Sequence, residues 1–99
     1  MFEKEYFTYI LASRKGGALY VGVTNNIEGR VLEHKEGSGS KHTAKYKINK
    51  LVYYDCFDNI NDAIDWEKKL KRWKRSWKNE LIAERNPEWL DLSEDFFDP

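Results

Sequence analysis

A tyrosine, an arginine and a histidine fall within one short stretch of this 99-residue chain, at a spacing that could support chemistry. Tyr20 lies in an apolar segment typical of a strand, and Arg30 and His34 follow in a segment typical of a helix. Because residues four apart share one face of a helix, Arg30 and His34 are expected to lie side by side. A fixed cation and an imidazole that titrates near neutral pH, both beside a tyrosine, could form a reaction centre.

The strands that must position these residues follow from the pattern of apolar and polar residues. Segments rich in β-branched and aromatic residues predict three strands, over residues 6–12, 18–24 and 51–57. The polar turn at residues 13–17 contains glycine and joins the first two strands into a hairpin. A helix is predicted over residues 27–35, and either Asn25 or Asn26 is expected to cap it.

A second, longer helix is predicted from about residue 60 to residue 76 or beyond. Asp58 or Asn59 is the expected cap. Apolar residues at spacings of three and four predict one buried stripe, formed by Ala63, Trp66, Leu70, Trp73 and Trp77. A further amphipathic segment covers residues 79–85 and ends before Pro87.

The remaining segments suggest no additional domain. Residues 36–43 are predicted to be a polar loop. Cys56 is the only cysteine, so it cannot form an internal disulfide, and its strand predicts a small core residue. Residues 93–99 are expected to be a frayed acidic tail. The whole chain, residues 1–99, has the length of one domain and leaves no room for two.

The formal net charge of zero hides an uneven distribution. Residues 1–79 contain 16 Lys and Arg against 10 Asp and Glu, whereas residues 80–99 contain one basic residue against seven acidic ones. The neutral total therefore does not argue against an anionic partner. The sequence contains no apolar run long enough to span a membrane, and its charged N-terminus lacks the apolar core of a secretory signal. We expect a cytoplasmic protein.

An ordered set of residues along the chain resembles the GIY-YIG nuclease superfamily, in particular its short, single-domain bacterial branch. Two strand motifs carry the likeness, Phe7-Thr8-Tyr9-Ile10-Leu11 and Leu19-Tyr20-Val21-Gly22-Val23-Thr24-Asn25. Three further matches follow in family order. Arg30 lies ten residues after Tyr20, His34 lies fourteen residues after it, and Glu67 lies in the longer helix. The first glycine of the family name is absent. The likeness covers nearly the whole chain.

This resemblance implies an α+β fold, with a three-stranded antiparallel sheet flanked by helices in the order β-β-α-β-α-α. It implies phosphodiester hydrolysis in a nucleic acid, chiefly DNA, with one Mg²⁺ or Mn²⁺ bound by Glu67 and no organic cofactor. Arg30 would donate hydrogen bonds to the phosphate. Tyr9, Tyr20 or both would orient the attacking water, and one would act as the base. His34 would hydrogen-bond a tyrosine or carry the proton.

Further positions are candidates on weaker grounds. Gly22 would permit a close backbone approach beside the cleft. His42 and Thr43 lie in the predicted loop, where an exposed histidine is the more ordinary interpretation, and Asn79 follows Glu67 by twelve residues. Nucleic acid is expected to contact the cations Lys41, Lys45, Lys68, Lys71, Arg72 and Arg75.

Each matched residue also has an ordinary interpretation, so three functions are left open. The tyrosines could simply pack across a hairpin, and Glu67 could pair with Lys71 one turn later. An endonuclease predicts metal-dependent cleavage that is lost in Glu67→Ala and Arg30→Ala. A non-catalytic nucleic-acid-binding module predicts salt-sensitive binding without cleavage. An interaction protein that uses exposed aromatic residues and the acidic tail predicts a protein partner.

Overall fold

The computed structural model describes residues 5–97 and contains a three-stranded antiparallel sheet. The strands are β1 (Tyr6–Ala12), β2 (Leu19–Thr24) and β3 (Lys50–Phe57). Their order in the sheet is β2-β1-β3, so β1 is central and β2 is an edge strand. The predicted α+β class and antiparallel sheet are confirmed. Within residues 5–97, no helix has the length and apolarity needed to cross a bilayer.

Five helices accompany the sheet in the described part of the chain. They are α1 (Ile27–Lys35), α2 (Lys41–Tyr46), α3 (Ile60–Arg72), α4 (Arg75–Arg85) and α5 (Glu94–Phe97). The side chain of Asn26 caps α1 by accepting a hydrogen bond from the Gly29 amide, and Asn59 caps α3. For α1 and for α3, the cap is therefore one of the two residues expected from the sequence. The helices α2 and α5 were not predicted.

Side chains of the central strand alternate between two cores, one on each face of the sheet. Ile10 packs with Leu70 of α3 and Ile82 of α4 on one face. Tyr9 packs with Ile27 and Val31 of α1 on the other face. Tyr9 therefore points towards α1, and this face carries the residues discussed below.

The prediction of one continuous helix over residues 60–76 is wrong. α3 ends at Arg72, and Trp73 and Lys74 have extended ψ angles of 146° and 149° before α4 begins. This break redirects the chain so that Ile82 is buried in the core, and it leaves Trp77 49% exposed. Trp77 is therefore not part of the buried stripe. Its ring packs edge-on against Trp73, with centroids 5.9 Å apart.

Two further local predictions are wrong. Residues 36–43 are not all loop, because α2 begins at Lys41 and the Ser40 side chain caps it by accepting from the Thr43 amide. Cys56 is exposed rather than buried in the core, since it lies near the end of β3, where its sulfur contacts the Glu5 carboxylate at 3.2 Å.

The C-terminal segment is docked rather than frayed over residues 93–97. The Asp91 carboxylate accepts hydrogen bonds from the Leu51 amide of β3 at 3.2 Å and from the Ser93 hydroxyl at 2.6 Å. The Leu92 amide donates to the Leu51 carbonyl at 2.7 Å, and Ser93 is fully buried. These bonds satisfy polar groups on the edge of β3 that would otherwise face solvent. Residues 98 and 99 of the predicted tail lie outside the described residues.

Candidate functional site

Tyr9 is placed by its position opposite a glycine in the hairpin. In the register of β1 and β2, Tyr9 pairs with Gly22. A Cβ atom on Gly22 would lie 2.5 Å from the Tyr9 hydroxyl oxygen and 2.6 Å from Cζ. The phenol ring therefore occupies the space that any other side chain at position 22 would need. This contact gives Gly22 a physical reason, because its missing side chain lets Tyr9 extend across the edge strand.

Three rings meet on this face of the sheet. The centroid of Tyr9 lies 6.3 Å from that of Tyr20 and 6.2 Å from that of His34, and Tyr20 and His34 are 5.2 Å apart. The Tyr9 hydroxyl is 3.4 Å from His34 Nε2. Tyr9 and His34 are buried, while Tyr20 is half-buried at the edge strand. The predicted proximity of the two tyrosines and the histidine is thus present.

Arg30 lies one helical turn before His34 and brings a positive charge to these rings. The interaction of its guanidinium with the Tyr9 side chain raises the pKa of Arg30. Burial raises the pKa of Tyr9 above its ordinary value, although the interaction with Arg30 opposes that effect. Arg30 Nη1 also contacts the exposed Glu33 carboxylate at 3.4 Å. The net result is a neutral, desolvated phenol held beside a fixed cation.

Glu67 lies on α3, which packs on the other face of the sheet. On α3 it shares a helical face with Ala63 and Leu70, both fully buried, and its own side chain is only 16% exposed. Its charge contributes to the raised pKa of Tyr9. α3 packs against the central strand β1 and the edge strand β2. Lys71 Nζ lies 3.3 Å from the Glu67 carboxylate, as the ordinary interpretation expects.

Glu67 is the carboxylate that the family resemblance offers to a metal ion. Within residues 5–97, no three His, Cys, Asp or Glu side chains are grouped so that they could hold a metal ion. Mg²⁺, however, keeps several waters and is often held through one or two carboxylates plus the phosphates of its substrate. Glu67 fits an ion bound in that way. The described residues do not fit a metal enclosed by protein side chains alone.

The environment of His34 predicts a specific effect of acid on stability. Burial lowers the pKa of His34 below its ordinary value near 6.5, and the positive charge of Arg30 lowers it further. Between the two pKa values the unfolded chain binds more protons than the folded one, so stability falls as the pH drops through about 6.5. We expect the urea midpoint of wild type to fall more steeply than that of His34→Gln between pH 7.5 and 5.5.

The control for this comparison is His42→Gln, because His42 is exposed and its ring packs on Tyr46, with centroids 5.0 Å apart. This variant should follow wild type across the same pH range. Parallel curves for wild type and His34→Gln would contradict the expectation.

The residues predicted to contact nucleic acid, together with His42 and Asn79, differ in their exposure and in their partners. Lys41, Lys45, Lys68 and Arg72 are exposed, as a nucleic-acid contact requires. Arg75 instead donates to the carbonyls of Gly16 and Gly17 in the β1–β2 turn, so its guanidinium already has partners. His42 is exposed on α2, and its ring packs on Tyr46 rather than on the cluster of Tyr9, Tyr20 and His34 in the described part of the chain. The buried Asn79 Oδ1 accepts no hydrogen bond from the described part of the chain.

The structure gives Thr43, a weak candidate from the sequence, a contact with His34, and it adds Gly39, which the sequence did not single out. Thr43 is buried, and its hydroxyl oxygen lies 2.9 Å from His34 Nδ1. A Cβ on Gly39 would lie 2.5 Å from that same nitrogen, so the backbone of residue 39 packs directly on the ring. The available signal was Ser40, three residues before Thr43, which is the spacing of a helix cap.

Comparisons with known proteins identify the family of the chain. A model of the family described as GIY-YIG catalytic domain matches residues 5–80. A UPF0213 protein of Bacillus licheniformis is 37% identical over 86 residues, covering 87% of this chain and 88% of the relative. The UPF0213 protein YsiG of Lactococcus lactis is 38% identical over 96 residues, covering 91% of each chain.

A solved structure is also similar. The solution NMR structure of the UPF0213 protein BH0048 from Bacillus halodurans has a TM-score of 0.55 and 28% identity, and the match covers 88% of this chain and 92% of that one. This similarity supports the fold described above, an antiparallel sheet with flanking helices. The family match spans both tyrosines, Arg30, His34 and Glu67. The chain therefore belongs to the GIY-YIG catalytic domain family, as the resemblance of its motifs predicted.

Proposed function

We propose that this protein is a metal-dependent endonuclease that hydrolyses phosphodiester bonds in DNA in the cytoplasm. Branched, damaged and single-stranded DNA are included in the substrate class. One observation carries the proposal: the buried Tyr9 hydroxyl lies 3.4 Å from His34 Nε2, beside Tyr20 and on the side of the sheet that carries Arg30 one helical turn before His34. A strand tyrosine that only packed across a hairpin would not require an imidazole and a cation beside its hydroxyl.

The residues of the site would divide the work between them. Arg30 would donate to the phosphate as negative charge develops on its oxygens. Tyr20 is half-buried at the edge strand, so it would contact and orient the attacking water. Tyr9 is buried beside His34 and would pass its proton to His34 Nε2 while accepting that of the water. Because burial raises the pKa of Tyr9, a free phenolate is not the expected starting state.

Glu67 is the residue that would hold Mg²⁺ or Mn²⁺, in competition with its contact to Lys71. A bound ion would supply charge stabilisation at the phosphoryl group and the leaving oxygen. The exposed cations Lys41, Lys45, Lys68 and Arg72 would bind the flanking phosphates.

The test is cleavage by the purified wild-type protein. Supercoiled plasmid and labelled single-stranded, flapped and four-way DNA are incubated with Mg²⁺, with Mn²⁺ and with EDTA. The expected result is cleavage of at least one form with metal and none with EDTA. Absence of cleavage of all four forms under every metal condition, from protein shown to be folded by circular dichroism, would refute the endonuclease.

One observation favours a second candidate, a non-catalytic nucleic-acid-binding module. A lone carboxylate would repel a phosphate chain, but Glu67 is paired with Lys71 and so does not have to act as a free negative charge. This module would bind DNA with an affinity that falls linearly in log–log form as salt increases. Such binding, without cleavage of any of the four forms, would favour this candidate.

A further inference from the structure

The His34 ring is held by a chain of hydrogen-bonding groups that runs inward from Tyr9. His34 Nε2 lies 3.4 Å from the Tyr9 hydroxyl, and Nδ1 lies 2.9 Å from Thr43 Oγ1. His34 and Thr43 are both buried, so water does not offer alternative partners for these atoms. The backbone of Gly39 packs on the same side of the ring as Thr43. The orientation of the imidazole is therefore fixed by these contacts.

The direction of the hydrogen bonds can be assigned from the groups around Thr43. The Thr43 hydroxyl donates to the carbonyl oxygen of Ser40 at 3.3 Å, since a carbonyl can only accept. The Ser40 hydroxyl, which accepts from the Thr43 amide at 3.0 Å, is then the donor in its 2.8 Å contact with Thr43 Oγ1. With its own hydrogen directed to that carbonyl, Thr43 Oγ1 has one lone pair left, which accepts from His34 Nδ1–H.

This assignment also satisfies Tyr9. The Tyr9 hydroxyl hydrogen needs an acceptor, and an unprotonated His34 Nε2, 3.4 Å from the hydroxyl oxygen, provides one. In the opposite tautomer, Nε2–H would donate to the Tyr9 oxygen. The hydroxyl hydrogen of Tyr9 would then have no acceptor among the hydrogen bonds of the described residues, which is costly for a buried group.

We propose that Thr43 is a positioning residue that holds His34 in the Nδ1–H tautomer, so that Nε2 accepts the hydroxyl proton of Tyr9. The role of this tautomer in catalysis rests on the proposed endonuclease function, whereas the assignment of the tautomer rests on the hydrogen bonds alone. The short helix α2, capped by Ser40, places the Thr43 hydroxyl against His34. Thr43 acts on the reaction through the imidazole and does not touch substrate.

The test reads the tautomer directly. Protein labelled with ¹⁵N in histidine is examined at pH 7.5 by multiple-bond ¹H–¹⁵N correlation, which distinguishes a protonated ring nitrogen from an unprotonated one. Wild type is expected to show a protonated Nδ1 and an unprotonated Nε2 for His34. The only other histidine, His42, is exposed and serves as the internal reference. A protonated Nε2 in wild type would overturn the proposal without any variant.

Two variants separate the hydroxyl from the shape of the side chain. Thr43→Val keeps the shape and is expected to shift His34 towards the Nε2–H tautomer, whereas Thr43→Ser keeps the hydroxyl and should retain the wild-type pattern. An unchanged pattern in folded Thr43→Val would count against the proposal, as would loss of the pattern in folded Thr43→Ser.

Cleavage gives the second measurement and separates two kinds of failure. Thr43→Val is expected to lower kcat by roughly ten- to a hundredfold at unchanged KM, as groups that orient a functional histidine commonly do. If wild type shows the assigned tautomer but cleaves none of the DNA forms, the endonuclease function is refuted and the assignment of the tautomer is not. A Thr43→Val variant with the shifted tautomer and unchanged kcat would refute the positioning role alone.

Discussion

Replacing Glu67 by glutamine is expected to abolish detectable cleavage while leaving the fold in place. The substitution keeps the size of the side chain and removes the carboxylate that would hold the divalent ion. Loss of that charge stabilisation is worth several kcal/mol, so cleavage should fall by about a thousandfold or more. The fold should tolerate the change, because the pair that it breaks with Lys71 is a single helix pair worth about 0.2–0.5 kcal/mol.

The same variant separates cleavage from binding. Removing a negative charge beside basic residues should leave the affinity for DNA in EDTA unchanged or slightly higher, since phosphate binding depends on the cations. The matched control is Glu84→Gln on α4, an exposed carboxylate that should cleave like wild type. Cleavage that persists in Glu67→Gln at the rate of Glu84→Gln would show that another site or a contaminant is responsible. A parallel loss of binding and cleavage would show that Glu67 is structural.

The strands could be predicted because each is a short run of β-branched and aromatic residues bounded by polar turns. Such runs fix both the type of an element and the face on which its side chains lie. The pairing of Tyr9 with Gly22 then needs only the length of the β1–β2 turn. This explains why the cluster of Tyr9 and Tyr20 was accessible from the sequence. The reason for Gly22 was not, because the sequence suggested a close backbone approach there and the structure shows the Tyr9 side chain.

The helix break at Trp73 was not accessible in the same way. Neither Trp73 nor Lys74 is a residue that stops a helix, and the apolar spacing continues through Trp77. The break is set by tertiary packing, since α4 must turn for Ile82 to enter the core formed by Ile10 and its neighbours. Local propensity is too weak to oppose burial of a side chain of that size.

The surroundings of His34 show the same limit. Ser40 and Thr43 have the types and spacing of a helix cap, but nothing local indicates that a six-residue helix forms after a run of glycine and serine. The packing of α2 against α1 also depends on how the intervening residues turn, which residue types alone do not fix. The sequence could therefore name His34 as a site residue without showing that Thr43 holds its other nitrogen.

The second large effect is expected at Gly22, where an alanine should displace Tyr9. The added Cβ would lie 2.5 Å from the Tyr9 hydroxyl oxygen, far inside van der Waals contact, and the buried ring has no free space to move into. Overpacking of this kind costs about 1–3 kcal/mol of stability. Because the displaced hydroxyl would lose Arg30 and His34 Nε2, cleavage should fall by about a hundredfold or more, as when a placed hydrogen-bonding group is removed from a site.

A double-mutant cycle with Tyr9→Phe tests whether Gly22 acts through that hydroxyl. Tyr9→Phe alone should lower cleavage and keep the ring in place. In the Gly22→Ala background it should lower cleavage little further, and it should recover part of the lost stability, since it removes the atom closest to the new methyl group. Stability is read from urea unfolding and cleavage from the DNA form that wild type cuts. Strictly additive effects on both measurements would mean that Gly22 is required for the strand alone, because a residue that makes room for Tyr9 cannot be independent of it.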